Sequence, residues 1–290
     1  MIDAILQPLQ YGFMARAVIV AVIAALVCGV LSCWLVLIGW SLMGDAVSHA
    51  VLPGVVLAYI TGAPFAVGAL VFGVLAVVLI GVVRGTTEVK EDATIGVVFT
   101  SLFALGIVLV SVTPSQIDLG HILFGNLLGV GIPDLWQVLI VGGLTLTVLV
   151  AKRRDLTLYA FDKTHAHAIG ISPQRIGALL LGLLALTVVV ALQSVGVVLV
   201  VALLITPGAT AFLLTRSFFS MLWLSPLISV ICAFAGVYIS YYLDSSPGGT
   251  VVLAMGAVFT LAYLFGPRGL IRRRSRGARI EASLIPTGDR

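Results

Sequence analysis

The chain has 290 residues, 60% of them hydrophobic and 10% charged, with a formal net charge of +4 and a mean hydropathy of +1.20. A soluble domain carries about 25% charged residues, so the composition excludes a water-soluble globular fold. The apolar runs are too long for barrel strands and fit helices instead, and the positive charge is not read as affinity for nucleic acid.

In chain order, nine apolar segments fall at about 14–38, 44–61, 65–83, 94–112, 133–151, 176–192, 195–215, 220–243 and 250–266. Each approaches the roughly 20 residues that span a bilayer as a helix. They predict an all-α polytopic integral membrane protein with about nine transmembrane helices. One membrane domain is expected over residues 1–267, followed by a basic tail over 268–290. Residues 1–10 lack a basic n-region and the first apolar run is longer than an h-region, so no cleavable signal is expected. Cys28, Cys33 and Cys232 lie in apolar runs without a CxxC and read as small buried hydrophobes.

The second segment carries Asp45, Ser48, His49 and Pro53. Asp within a bilayer costs about 2.5–3.5 kcal/mol on insertion scales. Positions i and i+4 of a helix share a face, with Cβ atoms about 5–6 Å apart. Asp45 and His49 therefore offer one carboxylate oxygen and one imidazole nitrogen on the same side, a donor set that suits Mn, Fe and Zn. Ser48 and the carbonyl that Pro53 leaves without a donor are candidate further ligands. The competing reading is an Asp–His contact that only locks helix packing. Within a membrane the burial cost favours function.

Residues 113–133 are amphipathic and interrupted by Gly and Pro, which predicts an outer loop with a short interfacial or re-entrant helix; Asp118 and His121 there read as solvated loop polarity. Between the fifth and sixth segments, residues 152–175 form the longest inner connection. Phe161 to Gly170 reads as a short amphipathic helix with Gly170 at C′. His165 and His167, two residues apart, point different ways on a helix and read as surface residues. In the seventh segment Pro207–Gly208 is expected to break the helix, as a hinge, a substrate path or a packing kink.

Placing Arg84, Lys90, the basic residues of 152–175, Arg216 and the tail on one side puts fifteen of the sixteen Lys and Arg residues inside. Nine spans then leave the N-terminus outside and the C-terminus cytoplasmic, with Arg16 as a snorkelling residue. The rival parse keeps the N-terminus inside with an early re-entrant segment. No GxxxxGK[ST] or HExxH occurs, so neither ATP hydrolysis nor zinc-protease catalysis has a motif in this chain.

The stretch LVLIGWSLMGDAVSHAVLPGVVLAYITG resembles the signature of the membrane permeases of bacterial metal-ion ABC transporters, the ABC-3 family. EDATIGVVFTSLFALGIVL, DLGHILFGNLLGV, AFDKTHAHAIGIS and LLITPGATAFLL resemble the same family in the same order, over roughly residues 13–266. The resemblance implies a permease subunit, not an enzyme, in the bacterial cytoplasmic (inner) membrane. Its expected partners are two cytoplasmic ATP-binding subunits, a second identical or sister permease and an extracytoplasmic metal-binding protein.

It maps a metal-coordinating GDxxxH motif onto Asp45 and His49, and ATPase docking onto Phe161, Asp162, His165, Ile169 and Gly170. No permanently bound cofactor is implied; the metal is cargo. The wording GWSLMGDA is more similar to manganese and iron permeases than to zinc permeases, so Mn²⁺ or Fe²⁺ is expected ahead of Zn²⁺. Many relatives carry a basic residue just before this Gly-Trp, where Ile38 stands here. A proton-coupled secondary metal carrier using the same pair, or a scaffold that transports nothing, are the alternatives from other classes.

Overall fold

The computed structural model describes residues 10–113 and 127–270. Its α-helices are α1 (Gly12–Ile38), α2 (Met43–Ala50), α3 (Leu52–Thr61), α4 (Phe65–Thr86), α5 (Glu91–Val112), α6 (Ile132–Ala151), α7 (Arg153–Phe161), α8 (Lys163–Ala168), α9 (Pro173–Val195), α10 (Val197–Leu214), α11 (Phe218–Leu243) and α12 (Pro247–Phe265). Among the described residues nine helical spans are long and apolar enough to cross a membrane, with α2 and α3 counting as one. They match the predicted segments in number and order, with ends shifted by a few residues. The predicted outer helix falls largely on residues outside the described ones, as do Asp118 and His121; what is described of that stretch includes a 3-10 turn at Leu127–Gly129.

Helix starts at the polar boundaries follow ordinary capping chemistry. Ser172, Ser217 and Ser246 each accept a backbone N–H with the side-chain oxygen, from Arg175, Ser220 and Gly249. These bonds satisfy donors that a first helical turn leaves open. A single residue, Gly196, separates α9 from α10, with φ 84° and ψ 163°. That region is essentially open only to glycine. Gly196→Ala is expected to cost about 1–3 kcal/mol, read as a lower thermal midpoint of the purified protein; an unchanged midpoint would show that the turn relaxes.

Three spans form the interior. About 72% of the apolar window is buried in α1, 72% in α2–α3 and 67% in α9, against 17–22% in α4, α5, α6 and α12. Helix α1 is the hub, packed by α11, α10, α6 and α9, while α2 to α5 gather against one another and α9. The outer spans turn Val71, Val78, Val82, Val108 and Leu253 outward, as lipid-facing helices do.

Small residues set the closest approaches, as they do between helices in lipid. Gly54 of α3 and Gly68 of α4 meet backbone to backbone, so a Cβ on either would overlap the other's carbonyl.

Two local expectations are corrected. The second segment is not one helix: α2 and α3 meet at Val51, which keeps φ −76° and ψ −15°, with Pro53 in the first turn of α3. Proline there removes a donor from the preceding turn, and α3 follows α2 directly with no loop between them. Pro207–Gly208, conversely, leaves α10 unbroken. Ser32 of α1 bonds to the turn around the proline: its Oγ accepts the Gly208 N–H at 3.0 Å and donates to the Ile205 carbonyl at 3.4 Å. A Cβ at residue 208 would strike the Ser32 backbone. The motif is a packing contact between α1 and α10.

Candidate metal site

Helix α2 holds Asp45 in its first turn and His49 in its last. The His49 Nε2 lies 3.4 Å from Asp45 Oδ1, beyond the roughly 2.7–3.2 Å of a good N–H···O bond. Two donors sharing a divalent ion at about 2.0–2.2 Å, and roughly 90–110° apart, would stand about 2.8–3.6 Å from each other. The spacing is compatible with a shared ion and equally with an i,i+4 ion pair between the two side chains. The side chains are 33% and 26% exposed for Asp45 and His49, so the pair opens onto the protein surface. Pro53 stands four residues after His49 and cannot donate to its carbonyl, which accepts the Val51 N–H instead.

Helix α5 fixes the imidazole. Phe103 meets it edge-on at 5.1 Å and 73°, and Phe99 lies at 6.1 Å. The i,i+4 spacing of these rings on α5 was the available sequence signal for this wall. An edge-to-face aromatic contact is worth about 0.5–1.5 kcal/mol. Phe103→Ala is therefore expected to weaken metal binding by about two- to tenfold, with Phe103→Leu milder; titration of Mn²⁺ into the purified complex checks it.

Ser48 does not join the pair. It is buried, and its hydroxyl donates to the Gly44 carbonyl at 2.8 Å. Among the described residues no group of three or more His, Cys, Asp and Glu side chains could hold a metal. One chain thus presents two protein donors on an open face.

The loop between α6 and α9 contains the short helix expected within 161–170, as α8, and a second helix, α7, before it. Phe161 closes α7, and Asp162, at φ −150°, breaks the chain and caps α8 by accepting the His165 N–H at 2.8 Å. An aspartate cap outcompetes helix continuation because it supplies an acceptor to the next helix's open donors. Gly170 takes φ +87° just beyond Ile169, the left-handed C′ residue expected there. Phe161, Asp162, His165, His167, Ile169 and Gly170 are all exposed.

The basic connections converge on one end of the bundle. Arg84 and Lys163 both stand over the Trp40 ring, at 5.4 and 5.9 Å. Phe161 packs on Phe218 at 6.0 Å. A cleft of about 110 Å³ beside them is lined by Phe161, Phe212, Arg216 and Arg268 among others, and Arg268 donates to the Phe212 carbonyl at 3.0 Å. Cations missing beside Gly39–Trp40 in the sequence are thus supplied in space by α4 and α8.

Nine long apolar helical spans among the described residues define a multi-pass membrane protein, one of them carrying Asp45 and His49 side by side. The chain belongs to the ABC 3 transport family, whose model matches residues 10–266. It is 51% identical over 264 residues to the manganese transport system membrane protein MntB of Synechocystis, covering 91% of this chain and 86% of that one. It is 46% identical over 259 residues to the chelated iron transport system membrane protein YfeD of Yersinia pestis, covering 89% and 87%. Its fold is similar to PsaBC from Streptococcus pneumoniae, solved in complex with Fab, with a TM-score of 0.84, 38% identity and coverage of 97% of this chain and 100% of that one.

Proposed function

We propose that the chain is the permease subunit of an ATP-driven importer that carries Mn²⁺ or Fe²⁺ across the bacterial cytoplasmic (inner) membrane. The observation that carries this reading is the Asp45–His49 pair: a carboxylate and an imidazole 3.4 Å apart on an open face of a buried span. The family and the manganese and iron relatives supply the substrate class.

In this mechanism an extracytoplasmic binding protein delivers the ion at the outer face. Asp45 and His49 hold it, and a second identical or sister permease supplies the remaining donors across the open face. Two donors per chain keep coordination exchangeable, so the ion leaves when the helices move. Cytoplasmic ATP-binding subunits drive that motion and dock on α7–α8 through Phe161, Asp162, His165, Ile169 and Gly170. The exposure of these residues and the neighbouring cleft with Arg216 and Arg268 support this placement.

Residues 1–267 make the permease domain, the docking loop spans about 152–175, and the tail from 268 lies in the cytoplasm. The N-terminus is then outside.

A nitrogen–oxygen site binds Zn²⁺ more tightly than Mn²⁺ or Fe²⁺. Preference for manganese or iron therefore has to come from delivery and from the geometry of the complete site. The test is uptake of Mn²⁺, Fe²⁺ and Zn²⁺ by the reconstituted complex, with and without ATP. ATP-dependent Mn²⁺ or Fe²⁺ uptake is expected. Zinc-only uptake would move the substrate, and uptake by this chain alone without ATP would replace the importer with a proton-coupled carrier.

A further inference from the structure

Trp40 stands five residues before Asp45, in the turn that joins α1 to α2. Its N–H donates to the Leu35 carbonyl at 2.7 Å, and its carbonyl accepts the Met43 N–H at 3.0 Å. Its backbone thereby closes the turn from which α2 grows. The side chain is 2% exposed. Its indole Nε1 has no hydrogen-bond partner among the described residues, so the ring is held through its faces and edges.

Those faces meet four other elements. The Arg84 guanidinium at the end of α4 lies 5.4 Å from the ring centre, and the Lys163 ammonium at the start of α8 lies 5.9 Å away. Tyr159 of α7 packs on it at 6.2 Å and is itself 5.2 Å from Lys163. Gly177 of α9 lies beneath both: a Cβ there would fall 2.8 Å from the Tyr159 hydroxyl and 3.7 Å from Trp40. One buried ring at the root of α2 thus touches both helices of the inner loop.

We infer that Trp40 is a positioning residue that couples α8 to α2, so that displacement of the docking loop moves Asp45 and His49. The inference rests on the transport function proposed above. A close-packed ring has no slack into which a push can dissipate, and cation–π attraction from Arg84 and Lys163 keeps the contact closed in both directions. A merely structural Trp40 would instead support folding and leave energy coupling untouched.

The experiment uses the complete complex in proteoliposomes, with ATP hydrolysis and radiolabelled Mn²⁺ uptake followed in the same vesicles. Trp40→Leu is expected to hydrolyse ATP within about twofold of wild type while moving about tenfold fewer ions per ATP, with Trp40→Phe intermediate and Arg84→Gln lowering the ratio a few-fold. Mn²⁺ binding by the purified complex is expected to stay within about twofold.

Wild-type ratios in both Trp40→Leu and Arg84→Gln would overturn the coupling and leave the transport reading standing. Hydrolysis and uptake falling in parallel would do the same, by assigning Trp40 a structural role. If Trp40→Leu does not assemble, Arg84→Gln, which keeps the buried ring, decides by the same ratio. Wild-type vesicles without ATP-dependent uptake would remove the transport reading and the coupling together.

Discussion

Replacing Asp45 or His49 by alanine is expected to abolish metal-dependent uptake while the assembled complex survives. Among the described residues no group of three or more His, Cys, Asp and Glu could hold a metal, so losing either member of the pair halves what it offers. Loss of a residue that merely orients a metal ligand costs about 10–100-fold in affinity, and loss of the ligand itself is expected to exceed about a hundredfold, or about 2.7 kcal/mol.

Folding should tolerate the change, because both side chains are part-exposed and their mutual contact is longer than a good hydrogen bond. Asp45→Asn separates the two readings of the pair. It keeps the shape and a carbonyl acceptor for the imidazole but removes the charge. A transport site loses uptake with Asp45→Asn, whereas a packing contact retains it. Normal uptake by the alanine variants, measured with complex recovery on size-exclusion chromatography, would eliminate the site.

The second large effect is expected at Gly54. A side chain there has no space: its Cβ would overlap the Gly68 carbonyl and crowd Phe72. Overpacking ordinarily costs about 1–3 kcal/mol. The obstruction here is chiefly backbone, in a hairpin whose helices α3 and α4 are joined by a short turn, so little can yield. Gly54→Val should therefore cost about 3 kcal/mol or more and shift α3, with loss of recoverable folded protein and of uptake together. Gly81, on α4, is the control, since a Cβ there meets nothing within 4 Å. Gly81→Val should leave yield and thermal midpoint close to wild type. Equal recovery of both variants would show that the α3–α4 contact is looser than its geometry.

Asp45 and His49 test chemistry on a scaffold that should remain intact, whereas Gly54 tests the scaffold on which that chemistry stands. The junction at Val51 links them, because α3 continues from the helix that carries the pair.

Much of this was legible in the residues. An apolar run of about 20 residues in lipid has to satisfy its own backbone, and a helix does so locally; nine spans therefore followed from hydropathy alone. Asp45 and His49 fall on one face because i,i+4 spacing is a property of the helix itself. Gly170 could be placed at C′ for the same local reason.

Features that depend on distant partners were not legible. Pro207–Gly208 reads as a break, yet α10 runs through it, with Ser32, 176 positions from Gly208 in sequence, accepting the Gly208 N–H. Phe99 and Phe103 become the wall of the site only when α5 packs on α2. Ile38 suggests an uncharged inner boundary until Arg84 and Lys163 arrive over Trp40 from elsewhere in the chain. Spacing along one helix encodes which side chains share a face, and that was enough to find the pair. Which side chains fill the space opposite that face is set by packing between helices far apart in sequence, and only the tertiary structure decided it.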